Sequence, residues 1–462
     1  MLVFFITLYI IFTIGIGYYA SSKVQTATDF ALAGRQLPLS ISATSLFATW
    51  FGAEVVLGAS AEFATKGVLG IIEEPLGAVL ALTLIGLFFS RPLYRLNIYT
   101  FGDFFRLRFG QTAEWLSSLI MVLSYFGWIA AQFVALGGVI HTILGILTNY
   151  AVLIGAVIVL VYTYIGGMWA ISLADFIQTI VILIGLLLIL AIFLAKIPDF
   201  SVVIQAQPKG FFNFLPENTW HGWLHYLTAW LTIGLGGIPS QDIFQRIMSA
   251  KSEKVAVRMA YLASVMYLFL TAVPLIIVLI IKYLYPEYMQ GDTEMLLPKA
   301  IVEHTPVYVQ IAFFGALISA IMSTASGTIL APATILAENI LRPIFKVDTD
   351  SKMLTLLRSS VVIVALISLI LAYSKANIFA LASMAGAIGL VSLFTSIVAG
   401  LYVTNCSSLA CLVSMVTGLM VWAILEIWAT DLITSTLAGF LISIATFIIV
   451  ELYVRFHSKM CS

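Results

Sequence analysis

The sequence predicts an all-α polytopic membrane protein of about 13 transmembrane helices, a 5+5 inverted repeat with discontinuous helices at the midplane. Three observations predict it. Of 462 residues, 61% are hydrophobic and only 10% charged, where soluble domains carry about 25% charge. Apolar runs of ~20 residues, enough to cross the hydrocarbon of a bilayer, follow one another from end to end. Two of these runs are broken by glycine and proline at matching places. A transmembrane barrel is excluded, because it would show weak alternation over short segments.

Taken in order, the spans are roughly 2–22, 41–63, 67–90, 113–143, 147–165, 168–196, 223–247, 254–284, 306–341, 353–373, 377–403, 407–428 and 432–455. Four regions follow: 1–40, a flanking helix and inner loop; 41–200 and 201–405, the two repeats; and 406–462, C-terminal flanking helices. Residues 1–15 lack a basic start and run on as a span, so no cleavable leader is expected. All Lys and Arg fall on one side of these spans except Lys66, Lys196, Lys209, Lys282, Lys299 and Lys375. The positive-inside bias then puts the N-terminus outside and the C-terminus, with Arg455 and Lys459, in the cytoplasm. A bacterial inner (plasma) membrane is the expected location. The outer loop 283–303 is acidic, with Glu287, Asp292, Glu294 and Glu303.

The second span reads Thr49-Trp50-Phe51-Gly52-Ala53-Glu54, and the seventh Gly234-Leu235-Gly236-Gly237-Ile238-Pro239. The two lie five spans apart. Such a pair points to a binding site built on unwound helices. Unwound backbone at that depth is tolerated only inside protein or beside a cavity.

The ninth span contains 315–330, GALISAIMSTASGTIL, crowded with hydroxyls. Ser319, Ser323 and Ser326 recur at helical spacing, with Ala320, Thr324 and Thr328 on the adjacent stripe. Hydroxyl lone pairs, with a carbonyl loosened near Gly327, are the hard oxygen donors that a small alkali cation needs. Small and hydroxylated residues also let membrane helices pack closely. Their density here, with the partners found elsewhere in the chain, favours the cation.

Five acids fall within or near apolar spans: Glu54, Glu73, Glu74, Asp175 and Asp242. Each costs about 2.5–3.5 kcal/mol at mid-bilayer, so each needs a partner or a wet cavity. Asp242 is four residues from Arg246, and an ion pair along the helix accounts for it. Asp175 has no base near it in sequence, so a cation or a hydrogen bond to a neighbouring helix is expected. Trp50 and Trp128 sit mid-span rather than at the headgroup belt. An indole face attracts a desolvated cation by ~2 kcal/mol, although plain packing also explains either ring alone. Enzyme chemistry is not expected: there is no HExxH, the acids do not pair at a reactive spacing, and the five histidines are scattered. Cys406, Cys411 and Cys461 have no metal or redox spacing and are expected to be inert. Repeated filter segments of a channel are absent. Neither nucleic acid nor an obligate protein partner is suggested.

With these residues in view, the chain resembles the sodium:solute symporter family, which has the leucine-transporter fold with extra flanking helices. The blocks that carry the resemblance are DFALAGRQL (29–37), ATWFGAEVVLG (48–58), GLFFSRPL (86–93), YTYIGGMWAISLADFIQ (162–178), GGIPSQDIFQR (236–246) and SAIMSTASG (319–327). The resemblance implies a sodium ion (Na+) as coupling ion, held by the carbonyls of Ala48, Phe51 and Ala320 and the hydroxyls of Ser323 and Thr324. A second sodium, as some members have, would use Asp175, Ser323 and Ser326; a further serine of those members is Gly327 here. The nearest branch is that of choline transporters. Trp50 and Trp128 match two of its cage aromatics, while Ala78 and Ser240 replace two others. Glu54 resembles instead the glutamate of sugar-transporting members. The implied solute site comprises Trp50, Glu54, Glu74, Trp128, Ser240 and Gln241. The expected activity is sodium-coupled import of a small cationic or zwitterionic amine or amino acid. A proton-coupled carrier, or one for sugars or carboxylates, is the alternative.

Overall fold

A computed structural model describes residues 1–374, 377–428 and 433–460, with side chains to His457. Lys375, Cys461 and the Lys459 side chain lie outside the described residues. Within them the chain is helical and has no β-strand, only an isolated bridge between Leu37 and Ala250. Among the described residues, ten helices are long and apolar enough to cross a membrane.

The difference from thirteen lies at the breaks. Thr148–Leu194 covers spans 147–165 and 168–196 and is broken between them at Gly167, whose backbone (φ 50°, ψ −150°) is not helical. The outer half of the second span ends at Gly67 (φ 68°, ψ −150°), and the third follows it with a further break at Glu74 (φ −138°, ψ 118°). The seventh span falls into two pieces, Trp220–Gly234 and Gln241–Ser249, each too short to cross alone.

Both breaks have local causes. Helix Leu39–Trp50 stops where Phe51 leaves helical geometry (φ −92°, ψ 71°), and helical turns resume at Glu54. In the seventh span, Pro239 offers no N–H and pushes the residue before it out of helical backbone. Ser240 is extended (φ −96°, ψ 137°), and the inner helix starts at Gln241.

Helix Val307–Ile335 forms the centre. Every residue from Ala316 to Ile335 is buried, including six hydroxyl-bearing ones. It packs against Thr148–Leu194, Gln111–Leu144 and Leu39–Trp50. At the edge, only 17% of the apolar stretch of Leu2–Ser21 is buried, and Phe4, Leu8, Ile11 and Phe12 are exposed. An exposed apolar face is what lipid requires. Ser408–Trp428 and Ser435–Met460 pair with each other at another edge. Short connecting helices Ala27–Leu32 and Phe101–Phe109 each begin with a capping box, Thr26/Asp29 and Thr100/Asp103, which fixes the loops between spans.

Candidate ion and solute site

A pocket of about 700 Å³, open mouth included, lies where the two broken helices meet Gln111–Leu144 and Ile378–Ile388. Trp50 and Trp128 meet edge to face at 6.4 Å, and Tyr125 stacks on Trp128 at 6.0 Å. Glu54 turns its carboxylate to the same wall. Trp128 Nε1–H donates to Glu54 Oε1 at 3.1 Å and Gln132 Nε2–H to Oε2 at 2.7 Å. Gln132 Oε1 accepts from the N–H of Ala53, so one side chain ties the break to the fourth span. Tyr267 donates to Glu74 and also reaches the Trp50 carbonyl, 2.7 Å away, left free by the unwinding. Ser383 donates to Glu73. Glu54, Glu73 and Glu74 all line the pocket, and among the described residues no Lys, Arg or His does. Gly237 is required by close approach: a Cβ there would stand 2.6 Å from the Trp50 ring.

Of the expected first-sodium residues, two are in direct contact. Thr324 Oγ1–H donates to the Ala48 carbonyl at 3.2 Å, joining the hydroxyl helix to the broken helix. Ser323 donates to Asp175 Oδ1 at 2.5 Å. Phe51 and Ala320 are fully buried in the same core, Ala320 one turn from Thr324. The rest of the stripe turns elsewhere. Ser326 donates to the Ser323 carbonyl at 3.0 Å and Thr328 to that of Thr324 at 2.8 Å, bonds within their own helix. Ser319 pairs with Tyr9 of the first helix.

Three expectations are corrected. Asp242 does not pair its carboxylate with Arg246; it accepts from Trp50 Nε1–H at 2.9 Å and from Tyr125. Arg246 takes the Asp242 backbone carbonyl instead, at 3.0 Å, and its guanidinium stands 3.9 Å from Asp175. Asp175 therefore has a basic neighbour, brought from 71 residues away by the fold. Gln241 does not line the pocket: its Oε1 accepts from the N–H of Phe101 at 2.9 Å. Ser240 does line it, with its hydroxyl unbonded. Sequence reasoning missed Tyr125, Gln132, Tyr267 and Ser383. Tyr125 and Gln132 gave a signal, three residues before and four after Trp128 on one helix face.

Residues 30–418 match the model of the sodium:solute symporter family. The chain is 27% identical to high-affinity choline transporter 1 of Drosophila melanogaster over 84% of its own length and 65% of that protein's. It is 26% identical to the high-affinity choline transporter 1 of Homo sapiens, over 87% and 71%. Against the high-affinity proline transporter PutP of Bacillus subtilis it is 26% identical over 96% of both chains. Thus it spans about two thirds of the choline transporters' length. Among solved structures, a Na+-coupled sialic acid symporter in a substrate-bound outward-open state superposes with a TM-score of 0.84 at 16% identity, over 97% of this chain and 96% of that one. MhsT in complex with L-phenylalanine superposes at 0.58 and 13% identity, over 89% and 97%. The fold is of the leucine-transporter type, the relatives are transporters rather than enzymes, and this integral membrane protein belongs to the sodium:solute symporter family.

Proposed function

We propose that the protein is a sodium-coupled symporter that imports a small organic amine by alternating access. The observation that carries the solute class is the pocket wall: two indoles and three carboxylates, with no basic side chain among the described residues. An ammonium gains from both the acids and the ring faces. A carboxylate or sialic-acid-like anion would meet only negative charge there. Quaternary choline suits the wall less well, since Ala78 and Ser240 stand where choline transporters carry cage aromatics.

The sodium reading rests on the Ala48–Thr324 contact beside the break. A hydroxyl that now donates to a carbonyl can rotate its proton away, and both oxygens then accept a cation. Phe51, Ala320 and Ser323 would complete the shell. Sodium would bridge the broken helix to the hydroxyl helix and so favour the state in which the solute pocket is formed. Each ligand then raises the other's affinity by the same factor. One charge moving down 100 mV releases ~2.3 kcal/mol. A tenfold gradient adds ~1.4 kcal/mol, giving roughly 500-fold accumulation per sodium.

The arrangement proposed for the chain is thirteen spans, 41–200 and 201–405 being the inverted repeats, with the N-terminus outside and the C-terminus in the cytoplasm of a bacterial inner membrane. The decisive experiment is a thermal-stability screen of the purified protein against primary to quaternary amines, amino acids and sugars, in NaCl and in KCl at fixed pH. An amine that stabilises only with sodium supports the reading. Stabilisation by a sugar or acid, or by an amine equally in both salts, refutes it.

A further inference from the structure

Arg246 takes no part in the sodium and solute sites described above. Its side chain is 1% exposed, and Asp175, facing it, is 0% exposed. The guanidinium is tied on every side. Nε–H donates to the Ser45 carbonyl at 3.1 Å, Nη1–H to the Asp242 carbonyl at 3.0 Å, and Nη2–H to Thr49 Oγ1. Nη2 lies 3.9 Å from Asp175 Oδ2. The space for it comes from Gly327. A Cβ at that position would stand 2.7 Å from Nη2 and 2.9 Å and 3.0 Å from two atoms of Thr49. Asp175 has both oxygens engaged as well, by Ser323 at 2.5 Å and by the Ser45 hydroxyl at 2.6 Å.

A sodium ion does not fit this centre. Two buried carboxylates lie near the guanidinium, but that of Asp242 is turned to Trp50 and Tyr125, and only that of Asp175 faces it. An added cation at Asp175 would stand beside the guanidinium with no second carboxylate turned to it, in a medium that solvates charge poorly. To reach Asp175 it would have to displace the guanidinium, and breaking a buried pair leaves a charge without a partner. We propose that Arg246 is a chain-borne cation held permanently at Asp175 in the room that Gly327 leaves, so that this carrier takes one sodium per cycle, at Ala48 and Thr324, and none at Asp175. The inference rests on the sodium-coupled reading.

Arg246 also joins the inner halves of both broken helices: Ser45 and Thr49 belong to one, Asp242 to the other. It is therefore a positioning residue, and its Asp175 partner holds Ser323 in turn.

The test is a count of bound radioactive sodium (22Na+) per chain on the detergent-purified full-length protein, by equilibrium dialysis at saturating NaCl. We expect one in the native protein. In Arg246→Gln we expect two, falling back to one when Asp175→Asn is added. Should Arg246→Gln fail to fold, the native count and that of Asp175→Asn alone decide. Both are one if the proposal holds. Two in the native protein, falling to one in Asp175→Asn, would overturn the proposal and leave sodium coupling intact. A folded Arg246→Gln that still binds one would also overturn it. No bound sodium at all would remove the functional reading with it.

Discussion

Thr324 and Ser323 are neighbours in sequence but are bonded in different directions, and this sets what their loss should do. Thr324 spans the gap to Ala48, whereas Ser323 supports Asp175. We expect Thr324→Ala to raise the sodium concentration for half-maximal stabilisation about tenfold, a loss of ~1.4 kcal/mol, with Thr324→Ser close to native. A sodium titration of melting temperature measures this. Equal loss in both variants would mean that the methyl group, not the oxygen, matters. Glu54→Gln tests the solute side. It keeps the shape and the Trp128 bond but removes the charge. Truncating one partner of a desolvated charge pair costs about 2–5 kcal/mol. Amine affinity should therefore fall by at least roughly thirtyfold, while the sodium response without amine stays near native.

The breaks were the most legible elements. Gly52 and the run 234–239 showed in the sequence where helices stop, because missing side chains and a missing N–H act locally. The hydroxyl stripe was visible for the same reason: helical periodicity places Ser323 and Thr324 on neighbouring stripes. What each hydroxyl bonds was not visible, since Ser326 and Thr328 carry the same residue types yet turn inward to their own helix. Asp242 shows the limit most clearly. Its spacing to Arg246 suggested a pair along the helix, but Trp50, 192 residues away, claims its carboxylate. Partners set by tertiary contact leave no period to read. The seventh-span break should be intolerant of bulk. In Gly237→Ala the new methyl would lie 2.6 Å from the Trp50 ring. Overpacking costs typically 1–3 kcal/mol. The Ile233 carbonyl, 2.8 Å from the same point, is backbone and cannot yield as a side chain does, so we expect lower amine affinity together with some loss of expression. A binding isotherm beside a detergent size-exclusion profile separates the two. Unchanged affinity would show that the indole does not touch the solute.

At the scale of the molecule, coupling requires that the ion and solute sites lie on the same moving parts. Ala48 and Trp50 share one half-helix, with Glu54 just past the break. Arg246 and Asp242 tie that half-helix to its counterpart in the seventh span. The inner halves would then move together, consistent with alternating access by rocking of one bundle against another. The direction of transport depends on which face is outside, and the Lys and Arg distribution assigns it. Lys209 and Lys251 are both exposed and lie on opposite faces in that assignment. In a chain with Cys406, Cys411 and Cys461 replaced by serine, Lys209→Cys should react with a membrane-impermeant maleimide in intact cells and Lys251→Cys only after permeabilisation. The reverse pattern would invert the topology. The acidic loop 283–303 would then face the cytoplasm, and a sodium gradient directed inward would meet the carrier from the wrong side for uptake.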